Sequence, residues 1–177
     1  DSDGAVSLRW ESHPPSYPVV RPSFIRHSRT TSTNQIPLWR AVVAEVASGW
    51  LLPTSYDEIC AAGIIFLGPK NRLLYDPAEC NELLEHVPVH YPRASDFLCN
   101  SSFRAAVKGD IKGAFRHIRL APHDRRYLGI SLDGKAFSWA VLPFGLSQSP
   151  VIFSRSLAES IARLTPTLPC PPIVYVD

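Results

Sequence analysis

Residues 107–119 read Val-Lys-Gly-Asp-Ile-Lys-Gly-Ala-Phe-Arg-His-Ile-Arg, and the predicted fold is organised around them. Asp110 ends a short run that suits a buried strand, and Ile111, Phe115 and Ile118 follow at helical spacing on one side of a tight turn. Two roles suit this Asp: a helix N-cap, which is the commoner one, or a carboxylate facing a metal-bound phosphate. The cations that favour the second role are Lys112, Arg116, His117 and Arg119.

Two later blocks bear on that choice. Residues 141–153 read Val-Leu-Pro-Phe-Gly-Leu-Ser-Gln-Ser-Pro-Val-Ile-Phe, and residues 173–177 read Ile-Val-Tyr-Val-Asp. In this order and spacing, the three blocks resemble those of retroelement reverse transcriptases: a strand-borne Asp followed by Ala-Phe or Ala-Tyr, a Leu-Pro-x-Gly-Leu-x-x-(Ser/Ala)-Pro-x-x-Phe block, and the start of Tyr-x-Asp-Asp. The run Leu-Pro-Phe-Gly-Leu-Ser is similar to that of DIRS-type retrotransposons. The resemblance favours the metal-binding role for Asp110.

The first half of the chain shows an arm, a helix and a small hairpin. Residues 1–35 are rich in Ser, Thr, Pro and Arg without a period, which predicts a disordered arm or linker before a domain at 36–177. Residues 64–67 and 73–75 are two short apolar strands around a turn. An amphipathic helix, ended by Gly49 and Pro53, precedes them; its apolar residues are Trp39, Val42, Val43, Val46 and Trp50.

The second half predicts an antiparallel sheet backed by helices. Residues 96–103 are expected to be helical and to lead into the strand that ends at Asp110. Residues 127–132 and 136–142 suit a half-buried antiparallel pair, joined by Asp133-Gly134, the dipeptide typical of a two-residue type I′ turn. Pro150 begins a helix that Ser149 is expected to cap, and residues 173–177 form the last strand. The fold class is therefore α+β; its core-facing helical stripe is Phe153, Leu157, Ile161 and Leu164.

Composition sets only broad limits. The 177 residues suit about one domain, with 45% apolar and 19% charged residues. A net charge of +2 does not indicate nucleic-acid binding, which can be argued only from local clusters. The four cysteines show no Cys-x-x-Cys spacing, so reduced thiols in an intracellular, non-secreted protein are expected. No run of apolar residues is long enough to predict a membrane span.

The resemblance implies a fingers and palm fold with a metal site. Asp110 and Asp177 would be the catalytic, metal-binding pair, holding two Mg²⁺ ions, or Mn²⁺ in their place. Phe115 matches the family's aromatic residue that excludes a 2′-hydroxyl, although without the resemblance it is simply a core aromatic. Phe144 stands where many retroviral enzymes have Gln, and Gly145 either lets the backbone approach the nucleotide or serves a turn.

The same resemblance assigns the remaining contacts to nucleotide and nucleic acid. Lys70 and Arg72, on the turn between the first two strands, match the cations that grip the triphosphate of the incoming dNTP. This turn is shorter than in the family, and Arg72, four residues before Asp76, keeps the family's spacing. A basic cluster either follows the backbone of an RNA or DNA template with its primer or is a solvated face; its members are Arg116, Arg119, Arg125 and Arg126.

Three readings of function follow. The first is an RNA-directed DNA polymerase, seen as a fragment that covers the fingers and most of the palm, ends at the Tyr-Val-Asp motif and is inactive without a thumb. The second is a degenerate, catalytically inactive nucleic-acid-binding module. It is favoured by the short turn between the first two strands and by Ala78, Cys80 and Gly113, which depart from the family's residues. The third is an unrelated α+β binding domain with chance motifs. The oligomeric state is left open.

Overall fold

The computed structural model describes residues 4–11, 35–88 and 109–164. Helices and antiparallel strands occur together, which confirms the α+β class. Short 3₁₀ turns connect them, at Tyr56–Glu58, Pro69–Asn71, Ala114–His117 and Arg125–Tyr127. The helices and strands are α1 Gln35–Ala47, β1 Leu51–Thr54, β2 Ile64–Leu67, β3 Leu73–Asp76, α2 Ala78–Leu83, β4 Gly129–Leu132, β5 Lys135–Trp139 and α3 Ser149–Leu164.

The β4–β5 hairpin was predicted from its turn and is confirmed. Leu132 pairs with Lys135, and Asp133 and Gly134 have φ of 47° and 74°, as a type I′ turn requires. The expected half-buried pattern is wrong, because all four residues of β4 are buried. β5 covers one edge of β4, and residues 61–63 cover the other through the bonds from Gly129 N–H to the Ala61 carbonyl and from Gly63 N–H to the Gly129 carbonyl.

Strand β1 was not predicted. It pairs antiparallel with β5 in a three-stranded sheet of order β1-β5-β4. The sequence interpretation used Pro53 only as a helix stop, but Pro53 lies inside β1, opposite Phe137. Proline is tolerated there because β1 is an edge strand of that sheet, where a missing N–H can face outward. Gly49 does terminate α1, with a left-handed φ of 70°.

Helix α1 packs on β1 and on the β2–β3 hairpin. Its buried residues are Leu38, Val42 and Glu45, spaced as one helical face. Val43 was expected in the apolar stripe but is 57% exposed, so that assignment is wrong. The buried face is thus rotated toward Glu45, a charged residue whose partner is described below.

The predicted small hairpin is confirmed as β2 and β3, with Leu67 opposite Leu73 in an antiparallel pair. Ile65, Leu73 and Tyr75 are buried in the main core. The tight turn between the strands holds Lys70 and Asn71 at φ of 60° and 56°. The turn between β2 and β3, at Pro69–Asn71, therefore has a defined backbone conformation although it is only a few residues long.

Residues 4–11 correct the prediction of a loose N-terminal arm, at least for this segment. Leu8 is 5% exposed and belongs to the core. The Val6 N–H donates to the Arg119 carbonyl at 2.9 Å, and the Glu11 N–H donates to the Leu83 carbonyl at 3.2 Å. Lack of sequence period did not indicate this docking, because the segment follows neighbouring backbone rather than forming a helix or hairpin of its own. Residues 12–34 lie outside the described residues.

Helix α3 begins at Ser149, one residue before the predicted start at Pro150, so Ser149 is part of the helix and not its cap. Its hydroxyl donates to the Pro143 carbonyl at 2.8 Å, which ties the helix start to the preceding loop. Phe153 is buried, while Leu157 and Ile161 are only partly covered. The predicted helix at 96–103 and the predicted last strand at 173–177 lie outside the described residues, as does most of the predicted strand that ends at Asp110.

Candidate functional site

Asp110 lies at the start of the segment that leads into the turn Ala114–His117, and it is exposed. The residue that caps this turn is Gly113, with a left-handed φ of 65°. Asp110 is three residues upstream and does not occupy the cap position. The sequence left two roles open for Asp110, and the structure excludes the N-cap role at this turn.

Phe115 brings the first block onto the second. Its ring lies 5.0 Å from the ring of Phe144 and 5.7 Å from that of Phe153, measured between centroids. Phe115 is partly buried, whereas Phe144 is 43% exposed. These three rings, here called the aromatic cluster, pack together, with Phe153 buried on one side and Phe144 exposed to solvent on the other.

Gly145, next to Phe144, is required by a close backbone approach. Its φ is +94°, and a Cβ built there would lie 2.2 Å from the Tyr75 carbonyl oxygen of β3. Asn81 of α2 holds the same segment: its Nδ2 donates to the Gly145 carbonyl at 3.0 Å, and its Oδ1 accepts from the Ser147 N–H at 2.9 Å. The approach that needs glycine is therefore to β3, and it places Phe144 beside the end of that strand.

Arg116 is the member of the basic cluster that forms an ion pair and stacks on aromatic rings. Its Nη2 lies 2.7 Å from Glu45 Oε1, and its guanidinium lies 4.6 Å from the Trp50 ring centroid. Burial raises the pKa of the Glu45 carboxyl, although the nearby Arg116 charge acts in the opposite direction. Within the described part of the chain, Glu45 Oε2 and Arg116 Nε are buried without a hydrogen-bond partner. Arg116 thus connects α1 to the aromatic cluster, since it also lies 5.9 Å from the Phe144 ring.

The other three arginines border two open clefts. Arg119 and Arg125, together with Arg116, line a cleft of about 470 Å³ beside Trp50. Arg125 and Arg126 line a neighbouring cleft of about 330 Å³. Arg125 is partly anchored, because its Nε and Nη2 donate to the Leu120 carbonyl at 3.1 and 3.0 Å. The cluster is therefore continuous along this face, and its members Arg119 and Arg126 are exposed.

Lys70 and Arg72 lie on the β2–β3 turn, at the start of β3, and both are exposed. Gly145 contacts the other end of that strand, at Tyr75. The structure therefore connects this cation pair to the aromatic cluster through β3. Asp177, the second predicted metal ligand, lies outside the described residues.

Sequence reasoning missed three polar residues that organise this region. Asp124 is 0% exposed and accepts hydrogen bonds from the Leu8 N–H and the Trp10 indole. Gln148 is 2% exposed and pairs with the backbone of Arg9 and Glu85. Glu45 lies in an otherwise apolar helix face. Their neighbours in sequence gave no signal, because the partners named here are distant along the chain.

Among residues 4–11, 35–88 and 109–164, no three His, Cys, Asp or Glu side chains lie together in a group that could hold a metal ion. The predicted metal pair needs Asp177, so this finding leaves the prediction as it stands. In the same described residues, none of the helices has the length and apolar content that a membrane crossing needs.

Comparisons with known proteins first define the fold class. Over 96% of its length the chain is similar to a solved foamy viral protease–reverse transcriptase in complex with double-stranded DNA, with a TM-score of 0.66, 15% sequence identity and 30% of that chain covered. The native prototype foamy virus protease–reverse transcriptase gives a TM-score of 0.66 at 16% identity, with 22% of its chain covered. The chain therefore has a partial reverse transcriptase fold of fingers and palm, as predicted.

The sequence comparisons then show the family. Residues 80–177 match the family described as reverse transcriptase (RNA-dependent DNA polymerase), and the chain belongs to it. It is 33% identical over 115 residues to the retrovirus-related Pol polyprotein from transposon gypsy of Drosophila melanogaster, covering 63% of this chain and 11% of the polyprotein. It is 32% identical over 110 residues to a putative enzymatic polyprotein of Cassava vein mosaic virus, covering 61% and 16%. The chain thus spans a small part of these relatives.

Proposed function

We propose that this chain carries the nucleotide-binding and catalytic elements of an RNA-directed DNA polymerase, which adds dNTPs to the 3′-hydroxyl of a primer on an RNA or DNA template. One observation carries the proposal: Phe115, five residues after Asp110, packs 5.0 Å from Phe144 of the second block. Two blocks that are distant in sequence thus meet on one surface. Family membership supports the same reaction class.

Asp110 and Asp177 are the proposed metal ligands. Divalent ions are generally used in this family, and two Mg²⁺ ions, when bound, would activate the primer hydroxyl and stabilise the leaving oxygen. The donor set fits, because Mg²⁺ prefers oxygen ligands and needs only one or two protein carboxylates beside water and phosphate. Asp110 is exposed and does not cap the turn that follows it, so its carboxylate is available for this role.

The aromatic cluster is the proposed floor of the dNTP site. Phe115 would exclude a 2′-hydroxyl by steric overlap, and the packing of Phe153 behind its ring would resist displacement. The exposed ring of Phe144 would contact the nucleotide, held in place by Gly145 against β3. Lys70 and Arg72 would neutralise the triphosphate as point charge and forked donor.

The basic cluster is the proposed contact to the template and primer backbone. Arg119 and Arg126 are exposed and suit salt-dependent phosphate contacts. Arg116 is different, because its ion pair with Glu45 and its stacking on Trp50 already use its guanidinium. We assign Arg116 a supporting role under Phe144 rather than direct phosphate binding.

The test is primer extension on an RNA template with Mg²⁺, using the longest natural protein that contains this chain. Asp110→Asn should abolish extension, because the amide is a weaker metal ligand, while the far-ultraviolet circular dichroism spectrum is unchanged. Asp57→Asn is the matched control, an exposed carboxylate on another turn, and should retain full activity. An Asp110→Asn protein that extends primers at the unmodified rate would remove Asp110 from the site.

A second candidate is a catalytically inactive module that binds nucleic acid. The observation that favours it is the continuous arginine face along the two clefts, which requires no metal. The same protein distinguishes the candidates. Salt-sensitive binding of a primer–template without any extension would support the inactive module, whereas extension lost only in Asp110→Asn supports the polymerase.

A further inference from the structure

Two segments far apart in sequence meet at one buried amide. Residues 4–11, here called the N-terminal strap, lie before the part of the chain that matches the family. Residues 143–148, here called the pocket loop, lie before α3 and carry Phe144 and Gly145. Gln148 of the pocket loop is 2% exposed, and its side chain reaches the strap.

Gln148 pairs with the strap as a neighbouring strand would. Its Oε1 accepts from the Arg9 N–H at 2.9 Å, and its Nε2 donates to the Arg9 carbonyl at 2.7 Å. The same Nε2 donates to the Glu85 carbonyl at 3.0 Å. One amide therefore satisfies three backbone groups, and both of its N–H donors have acceptors. The Arg9 carbonyl also accepts from the Glu85 N–H at 3.0 Å, so the strap and residue 85 are already joined where Gln148 binds them. The buried Gln148 amide would lose its own partners if it left this position, and an unpaired buried amide is costly.

The strap is itself anchored at both ends. Asp124, fully buried, accepts from the Leu8 N–H at 2.8 Å and from the Trp10 indole at 3.2 Å. The Trp10 ring lies 4.5 Å from that of Tyr127, and Leu8 is in the core. Backbone bonds at Val6 and Glu11 complete the attachment. The strap is thus a firmly held surface against which Gln148 can fix the pocket loop.

The pocket loop is also tied to other parts of the fold. Asn81 binds the Gly145 carbonyl and the Ser147 N–H, and Ser149 donates to the Pro143 carbonyl. Gly145 has little freedom to move toward β3, because it already lies against the Tyr75 carbonyl. Gln148 adds the restraint that links the loop to the strap, four residues from Phe144.

We infer that Gln148 is a positioning residue: through the strap it holds the pocket loop so that Phe144 lies correctly against Phe115 for dNTP selection. The hydrogen bonds of Gln148 go to backbone groups of Arg9 and Glu85, so it acts through the loop backbone rather than on the nucleotide. The inference rests on the proposed polymerase function for its kinetic consequence. Its structural part, the coupling of strap to loop, does not.

The experiment uses the longest natural protein that contains this chain. Gln148→Ala should raise the KM for dNTP on the order of tenfold, as expected for the loss of a buried hydrogen-bonded group, with a smaller change in kcat. Gln148→Glu keeps the volume and one acceptor but replaces the donating amide nitrogen with a carboxylate oxygen facing two carbonyls. Gln148→Glu should therefore not restore the KM for dNTP. A normal KM in Gln148→Glu would show that the bonds donated to the Arg9 and Glu85 carbonyls are not needed, and it would overturn the inference.

A second variant and a measurement that does not depend on activity keep the inference testable even if Gln148→Ala folds poorly or the protein extends no primer. Arg9→Pro removes the N–H from which Gln148 accepts and leaves the pocket loop sequence intact. In both Gln148→Ala and Arg9→Pro, hydrogen exchange at the Ser147 and Ser149 amides should accelerate on the order of tenfold. Ser160→Ala, which removes a local hydrogen bond to Ser156 farther along α3, is the control and should change neither exchange nor KM.

The outcomes separate the two proposals. Unchanged exchange at Ser147 and Ser149 after strap release overturns the coupling, whatever the enzyme does. Accelerated exchange with unchanged KM overturns the positioning role. If the unmodified protein extends no primer, the polymerase proposal fails, and the exchange measurement alone then decides whether Gln148 couples the strap to the loop.

Discussion

Gly145→Ala is predicted to be much more destabilising than an alanine substitution at an ordinary turn glycine. The new Cβ would lie 2.2 Å from the Tyr75 carbonyl oxygen and 3.1 Å from Pro77 Cδ, so the loop must move by about 1 Å to reach ordinary contact distance. Overpacking of this kind costs about 1–3 kcal/mol. The φ of +94° adds about 1–2 kcal/mol for an L side chain.

Movement of the loop has a further consequence, because Asn81 would lose its contact to the Gly145 carbonyl. Such a hydrogen bond contributes about 1 kcal/mol. The expected total is a loss of about 3–6 kcal/mol in the free energy of unfolding, a large part of the about 5–15 kcal/mol that a domain possesses.

Two control glycines separate these costs. Gly134 has a φ of +74°, and no atom of the described residues lies within 4 Å of the position that a Cβ would take, so Gly134→Ala should cost only the strain, about 1 kcal/mol. Gly129 has an ordinary φ, but its Cβ would lie 2.5 Å from Ile59 Cγ2, so Gly129→Ala should cost only the overlap. Gly145→Ala combines both costs.

The assay is urea unfolding followed by tryptophan fluorescence. With a slope of about 2 kcal/mol/M, Gly145→Ala should lower the midpoint about 1–2 M further than Gly134→Ala does. Equal shifts for these two variants would refute the close approach to Tyr75. In that case Gly145 would serve the turn by its backbone angle alone.

Two further predictions concern the same region. Phe115→Val should admit ribonucleotides more readily in primer extension, because the smaller side chain no longer overlaps a 2′-hydroxyl. The control is Phe153→Val, next to the Phe115 ring, which should cost about 1–2 kcal/mol of stability without a comparable loss of selectivity. If the Phe115 variant still discriminates between ribo- and deoxynucleotides as before, Phe115 is only a packing residue. Burial raises the pKa of Glu45, so the folded state binds this proton more tightly than the unfolded state does. The stability of the unmodified protein relative to Glu45→Gln, measured by urea unfolding, should therefore fall as the pH rises from about 4.5 through the raised pKa. A relative stability that rises over this pH range would mean that the ion pair with Arg116 outweighs the desolvation of Glu45.

Several features followed from sequence because their causes are local. The Asp133-Gly134 dipeptide takes two positive φ angles at little cost, and that alone predicted the β4–β5 hairpin. The two short apolar runs around a turn predicted the β2–β3 hairpin, and the family blocks predicted the partial reverse transcriptase fold. The relation between Asp110 and Phe115 was also local, since one short turn joins them.

Other predictions were wrong because a local sequence pattern does not show whether a strand lies at the edge of a sheet or which of its faces is buried. Pro53 is typical of a helix stop, yet an edge strand accepts it once β5 is present to pair with β1. The alternation in β4 predicted that the face with Gly129 and Ser131 would be exposed, yet Ile59 lies against Gly129 and Tyr56 hydrogen-bonds to Ser131 on that face. In each case the missing information was the identity of a neighbour supplied by another part of the chain.

The sequence by itself determined the motif blocks, the hairpins and the family, because each depends on residues a few positions apart. Only the tertiary structure decided that Leu8 reaches Asp124 across 116 positions and that Arg9 reaches Gln148 across 139. It likewise turned Arg116 from one of four similar arginines into the partly buried ion-pair partner of the buried Glu45. The physical reason is that a buried polar side chain must find whichever donor or acceptor the packed backbone leaves unpaired, and that choice exists only after distant segments have come together.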